Sequence, residues 1–232
     1  MAEYYVCKYS HKYASELVYA FCQLRDVWNK PLKVMSVGCG PCTDLFALDH
    51  LQNEGRLGHI EYRGIDLNEI WRKIHRNIAH NQENNQVRFF YENVFDFIDV
   101  VNRKNWLPDL LIFQYVFSDM RKTADDTEVN GFIEHMSEFI NRLPVNSYII
   151  LNDINLQNSQ GGGRNYFDRL YRHLHGCDYL DCHFNNNNRQ NHYHYGDEYT
   201  SNNLIWPIPN NLHQYSPFES CASAQKIIKR VR

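Results

Sequence analysis

Gly38 and Gly40 frame the turn in VMSVGCGPCTDL, residues 34–45, and Asp66 ends the apolar run of a later stretch, YRGIDLN. Two glycines after an apolar run let backbone N–H groups approach a ligand with no side chain in the way. A carboxylate at a neighbouring strand tip, roughly 20–30 residues further on, can accept both hydroxyls of a ribose. Together these residues describe a seat for an adenosine-type group. A dinucleotide prefers a third glycine where Thr43 stands, and no Gly-Lys-Ser/Thr of a phosphate loop follows.

Other side chains offer competing chemistry. Cys39 and Cys42 have the C-x-x-C spacing of metal and redox sites. No second ligand pair accompanies them at fixed spacing, so the turn is read as a cofactor turn and no metal is assigned. Cys177, Cys182, His183, His192 and His194 fit no standard zinc module and read as solvated or packed side chains. GGGR at 161–164 reads as a flexible loop, although its N–H groups beside Arg164 could cradle an anion. Arg164, Arg169, Arg172 and Arg189, with Tyr166, Tyr171, His173 and His175, read as a solvated helix face rather than a nucleic-acid surface. Tyr4, Tyr5, Tyr9 and Tyr13 could either cover a cofactor or pack on the core.

The elements that must position these residues follow from periodicity. Leu17, Ala20, Phe21, Leu24 and Val27 predict a helix over 13–28, stopped by Pro31. Apolar runs at 32–37, 60–65, 87–91, 110–113 and 148–151 read as strands. Helices are expected over 43–52 with Thr43 as cap, 69–80, 95–102, 129–141 and 166–174. Short strands alternating with helices imply βαβ units and a parallel sheet covered on both faces. Residues 183–203 read as a polar loop, and 203–208 and 222–231 as late strands that could pair antiparallel.

With 232 residues, 43% hydrophobic and 22% charged, the chain is long enough for one well-cored domain. It is read as a single domain over 1–232, with a helical extension at 1–30, a cofactor-binding core at 31–156 and a substrate-side region at 157–232. Net charge is −3, so no global basic field points to nucleic acid. No apolar run approaches membrane-helix length, and the polar start argues against a signal peptide, so the expected location is the cytoplasm. Seven cysteines are then expected as thiols.

The arrangement resembles the class I, Rossmann-like methyltransferases that use S-adenosylmethionine. The likeness covers roughly residues 32–156 and rests on VMSVGCGPCTDL, YRGIDLN, FYENVFDF and PDLLIFQYVFSDM. It implies a seven-stranded sheet in the order 3-2-1-4-5-7-6, the seventh strand antiparallel, with helices on both faces. It implies that Gly38 and Gly40 contact the methionine and ribose parts of S-adenosyl-L-methionine and that Asp66 holds the ribose. Leu67 and Val94 would flank the adenine, and the Asn93 amide oxygen would accept from its amino group. Gln114 and Tyr115 would border the methyl group and acceptor, with Asp119 the nearest base in sequence. The family's acidic residue two before the first glycine is Ser36 here, and Asp44 is the expected substitute for gripping the ammonium. Cys42 replaces a further glycine and is expected at negative φ.

The resemblance implies a methyltransferase acting on an unidentified acceptor, an RNA or a small molecule. Gln114-Tyr115-Val116-Phe117 stands where base-amino methyltransferases place Asn/Asp-Pro-Pro-Tyr/Phe, which leans toward a nucleobase or another small aromatic or amine. A cofactor-binding module working through a protein partner, and a transferase of the aminocarboxypropyl arm, stand as alternatives. A nicotinamide oxidoreductase is more distant.

Overall fold

A computed structural model describes residues 2–27, 29–155, 163–183, 209–216, 218, 221 and 223–232. Its strands are β1 (Leu32–Val37), β2 (Ile60–Ile65), β3 (Gln86–Phe90), β4 (Leu110–Gln114), β5 (Tyr148–Ile154), β6 (Cys177–His183) and β7 (Ser223–Arg230). Its α-helices are α1 (Ala2–Phe21), α2 (Thr43–Asn53), α3 (Arg72–Asn81), α4 (Val94–Arg103), α5 (Val116–Met120), α6 (Asp126–Ile140) and α7 (Arg164–Arg172).

The strands form one sheet in the order β3-β2-β1-β4-β5-β7-β6. β1 to β5 run parallel, and β7 lies antiparallel between β5 and β6. This is the order implied by the family resemblance. Alternate residues of one strand enter opposite cores. Val34, Leu110 and Ile112 pack with Leu17, Leu45 and Leu48 of α1 and α2. Met35, Leu111 and Phe113 pack with Phe97, Phe132 and Met136 of α4 and α6. Burial on both faces is why these strands read as unbroken apolar runs.

Helix starts follow local chemistry. Asn93 caps α4 by accepting from the Phe95 N–H. Asp125 and Glu128 form a capping box at α6, with the N-cap Asp125 four positions before the apolar periodicity begins at Val129. Thr43 does not cap α2, contrary to expectation. It is the first helical residue, and its hydroxyl donates to Gln114 Oε1 at 2.6 Å.

Two further expectations need correction. The helix placed at 13–28 begins at Ala2 and ends at Phe21. Its first turns show no apolar period; they are held by rings, with Tyr5 against Tyr9 and Trp71. Past Phe21 the chain unwinds into a 3₁₀ turn at Arg25–Val27, yet Leu24 still reaches the core. The helix is therefore part of the core rather than an extension beside it. The strand Cys177–His183 carried no sequence signal, because among the described residues it is bonded to β7 alone and needs no continuous apolar run. The strand expected at 203–208 and the polar loop at 184–203 lie outside the described residues. Among the described residues, no helix is long and apolar enough to cross a membrane.

Candidate functional site

Register brings the strand tips into one row. Val37 is level with Ile65 and Phe113, and Ile65 with Phe90. The strand order reverses between β1 and β4, the switch point at which an open α/β sheet leaves a crevice beyond its carboxyl ends. A cleft of about 1160 Å³ opens there. Gly38, Gly40, Asp44, Asp66, Leu67, Asn93, Val94, Gln114, Tyr115 and Asp119, the residues singled out in the sequence, all line it.

The side of the cleft at the β1 and β2 tips is built on backbone. Gly38 and Gly40 have φ of 61° and 48°. A Cβ on Gly38 would also stand 3.2 Å from Val116 Cγ2, so the turn passes close under α5. Cys42 has φ of 62°, against the expectation of a negative value. Pro41 fixes its own φ, and the chain must turn within one residue to enter α2; the left-handed conformation falls on Cys42, whose N–H donates to Cys39 O at 2.8 Å. Asp66 Oδ2 accepts from the Gly40 N–H at 2.8 Å, and Oδ1 from the Asn68 N–H at 2.7 Å. Each oxygen keeps a lone pair for a hydroxyl. Burial raises the Asp66 pKa, and these two N–H bonds oppose that shift.

Other sequence candidates are partly engaged. The Asn93 oxygen serves as the α4 cap at 3.0 Å from Phe95 N. Leu67 is exposed on the rim, and Val94 lies buried in the first turn of α4. Asp44 is buried; it accepts from the Tyr62 hydroxyl at 3.0 Å and the Leu45 N–H at 2.9 Å. Burial raises its pKa, against hydrogen bonds from Ser36, Leu45 and Tyr62.

The side of the cleft at the β4 tip is built on α1. Gln114 accepts from Thr43 and donates to Tyr13 O at 2.9 Å, so both ends of its amide are engaged. Tyr115 has φ of 61° at the turn into α5. Its hydroxyl donates to Glu16 Oε2 at 2.8 Å and lies 2.9 Å from Lys12 Nζ, and its ring packs on Tyr13 at 4.2 Å. Burial, then the Glu16 charge, pushes its pKa well up. Glu16 also accepts from Lys12 at 2.6 Å and from Asn152 at 3.0 Å. Asp119 is exposed on the cleft wall and pairs with Lys122. Of the four N-terminal tyrosines, Tyr5 and Tyr13 line the cleft beside Trp71, while Tyr4 faces solvent. Lys12, Glu16 and Trp71 had no sequence signal, since each acquires its place only when α1 or the β2–α3 loop docks.

The remaining clusters divide. Arg164 donates to Asn155 and Arg169 to Asn130. Arg189, His192 and His194 lie outside the described residues, as do the side chains of Cys182 and His183. Cys39 and Cys42 are joined by His75 of α3, all three buried, with their ligand atoms within 4.8 Å of one another.

No family model and no curated protein matches the sequence. Solved structures do match in three dimensions. An rRNA methylase from Streptococcus thermophilus is 8% identical with a TM-score of 0.55, over 92% of this chain and 95% of that one. A SAM-dependent methyltransferase from Archaeoglobus fulgidus is 12% identical with a TM-score of 0.53, over 94% of each chain. WbdD is 13% identical at a TM-score of 0.52 over 93% of this chain, which spans 40% of the WbdD chain. The chain has the class I methyltransferase fold. Open α/β sheets bind ligands in the crevice at such a reversal, and here the glycine turn, Asp66 and the β4 tip all line it.

Proposed function

We propose that this chain is an S-adenosylmethionine-dependent methyltransferase. One observation carries the reading. At the β1/β4 reversal, two left-handed glycines lie against Asp66, which is fixed by the Gly40 N–H and retains acceptor capacity toward a cleft of about 1160 Å³. That volume accommodates an adenosyl group together with a small acceptor. When bound, the sulfonium supplies an already activated methyl group. The chain's own task is to hold the acceptor in line and keep water out, which in well-oriented cases supplies about 7–11 kcal/mol.

Tyr5, Tyr13 and Trp71 give the acceptor side an aromatic wall, which favours a planar acceptor such as a nucleobase or a small aromatic compound. Asp119 is an exposed carboxylate of the cleft, paired with Lys122 through one oxygen, and it is the candidate base for an acceptor that arrives protonated. The Tyr115 hydroxyl is engaged by Glu16 and Lys12, so its part is to shape the wall. The same engagement favours the second reading, a binding module, because it leaves few polar groups for an acceptor.

The test is transfer of a labelled methyl group from S-adenosylmethionine to total RNA and to a small-metabolite pool. Label in either pool, reduced about 100-fold or more by Asp119→Asn if it is the base, supports the enzyme. Tight cofactor binding with no labelled product supports the module.

A further inference from the structure

α3 is an odd helix to find docked on a sheet. Of its ten residues, Arg72–Asn81, only His75 is buried. Half-buried Ile74 and Ile78 give it a thin apolar stripe, with Ile78 against the core, and the one fully buried side chain is an imidazole aimed at two thiols. His75 Nε2 lies 3.9 Å from Cys39 Sγ and 2.7 Å from Gly40 O, and Cys42 Sγ lies 3.8 Å from Gly40 O. A tetrahedral zinc ion, with Zn–S of about 2.3 Å and Zn–N of about 2.0–2.1 Å, sets its corners about 3.5–3.8 Å apart. The Cys39–His75 separation is close to that edge and all three ligand atoms lie within 4.8 Å of one another, so small side-chain movements bring the set around one ion.

The surroundings are arranged for it. The His75 ring stacks on Phe89 at 4.0 Å, and its Nδ1 meets the Tyr91 hydroxyl at 2.8 Å, the kind of outer contact that orients a ligating imidazole. Gly64 makes room for the sulfur, since a Cβ there would stand 2.8 Å from Cys39 Sγ. Two thiolates also balance a divalent cation, so burying the site adds no net charge.

We propose that Cys39, Cys42 and His75 bind a zinc ion that fastens the glycine turn to α3, with the Gly40 carbonyl nearest the fourth corner. From neutral groups, binding releases the two thiol protons. The imidazole proton moves from Nε2 to Nδ1, where the Tyr91 oxygen accepts it. The proposal is independent of what the cleft binds.

The test uses the full chain, purified reduced and without chelators. Elemental analysis is expected to find about one zinc per chain, and cobalt(II) loaded in its place is expected to show intense thiolate-to-cobalt absorption. Cys42→Ser is expected to lower retained zinc at least tenfold, and Tyr91→Phe to weaken zinc binding about tenfold or more. Cys7→Ser, whose thiol lies outside the cluster, should retain it in full. Less than about a tenth of an equivalent of zinc in the native chain, cobalt bound without thiolate absorption, or undiminished zinc in Cys42→Ser overturns the site. The cobalt spectrum of the native chain decides the matter even if the Cys42 variant does not fold.

Discussion

The two walls of the cleft are made differently. On the side proposed for the cofactor, strand register and the Gly40 N–H bond to Asp66 make Gly38, Gly40 and Asp66 neighbours, and Asp66 keeps lone pairs for the cleft. On the acceptor side, Gln114 and Tyr115 are tied to Tyr13, Lys12 and Glu16, about a hundred residues away in sequence. The first wall is a local backbone device that any βαβ unit can carry. The second exists only once α1 has docked, so its polar groups act on stability as much as on chemistry.

The largest expected effect sharpens that contrast on the acceptor side. Glu16 is fully buried with Lys12, Tyr115 and Asn152 on its carboxylate. Glu16→Ala leaves the buried Lys12 ammonium without a counter-charge and takes the acceptor from the Tyr115 hydroxyl and the Asn152 amide, and should cost about 3–5 kcal/mol in denaturant unfolding. A loss under about 1 kcal/mol would mean that the network does not hold α1 in place.

A comparable effect should appear with pH. Asp153 sits beneath α5, accepting from the Ser118 N–H at 3.0 Å, and burial pushes its pKa up to about 6. The folded-state value lies above the unfolded one, so this group stabilises the fold at low pH. Its contribution is complete below about pH 4 and is lost as pH rises through about 6, on the order of 3 kcal/mol in all. Unfolding free energies of the native chain and Asp153→Asn, measured from pH 4 to 7, should converge or cross by that order; parallel curves would remove the assignment.

Smaller effects probe the cofactor side. Asn93→Ala removes the α4 cap and should cost about 1 kcal/mol of stability. If the amide also reaches an adenine, cofactor affinity falls as well; stability loss with unchanged affinity leaves Asn93 as a cap alone. Smallest of all, Asp119→Asn should shift stability by less than about 0.5 kcal/mol, because its ion pair with Lys122 is exposed. A larger shift would place Asp119 in the structural framework instead of on the working surface.

What the sequence made legible follows the same division. The strands and the glycine turn were readable because apolar runs, glycines and a strand-end carboxylate are local signals, whereas the strand order came from the family resemblance and not from any local signal. The left-handed Cys42 was misread because its φ is set by Pro41 and the entry into α2, not by its own preference. The early turns of α1 were missed because rings against Trp71, not apolar periodicity, hold them. C-x-x-C spacing flagged Cys39 and Cys42, but their third partner, His75, is brought by α3 from more than thirty positions away. The β6 strand escaped because an edge strand carries little apolar pattern.

Titration calorimetry of S-adenosylmethionine into the native chain and into Asp66→Ala probes the proposed seat itself. One site per native chain is expected, with affinity at least about tenfold weaker in the variant, since charge-assisted bonds to the ribose are lost. Equal affinity in the two chains, or no binding to the native one, would contradict a seat formed by the glycine turn and this carboxylate.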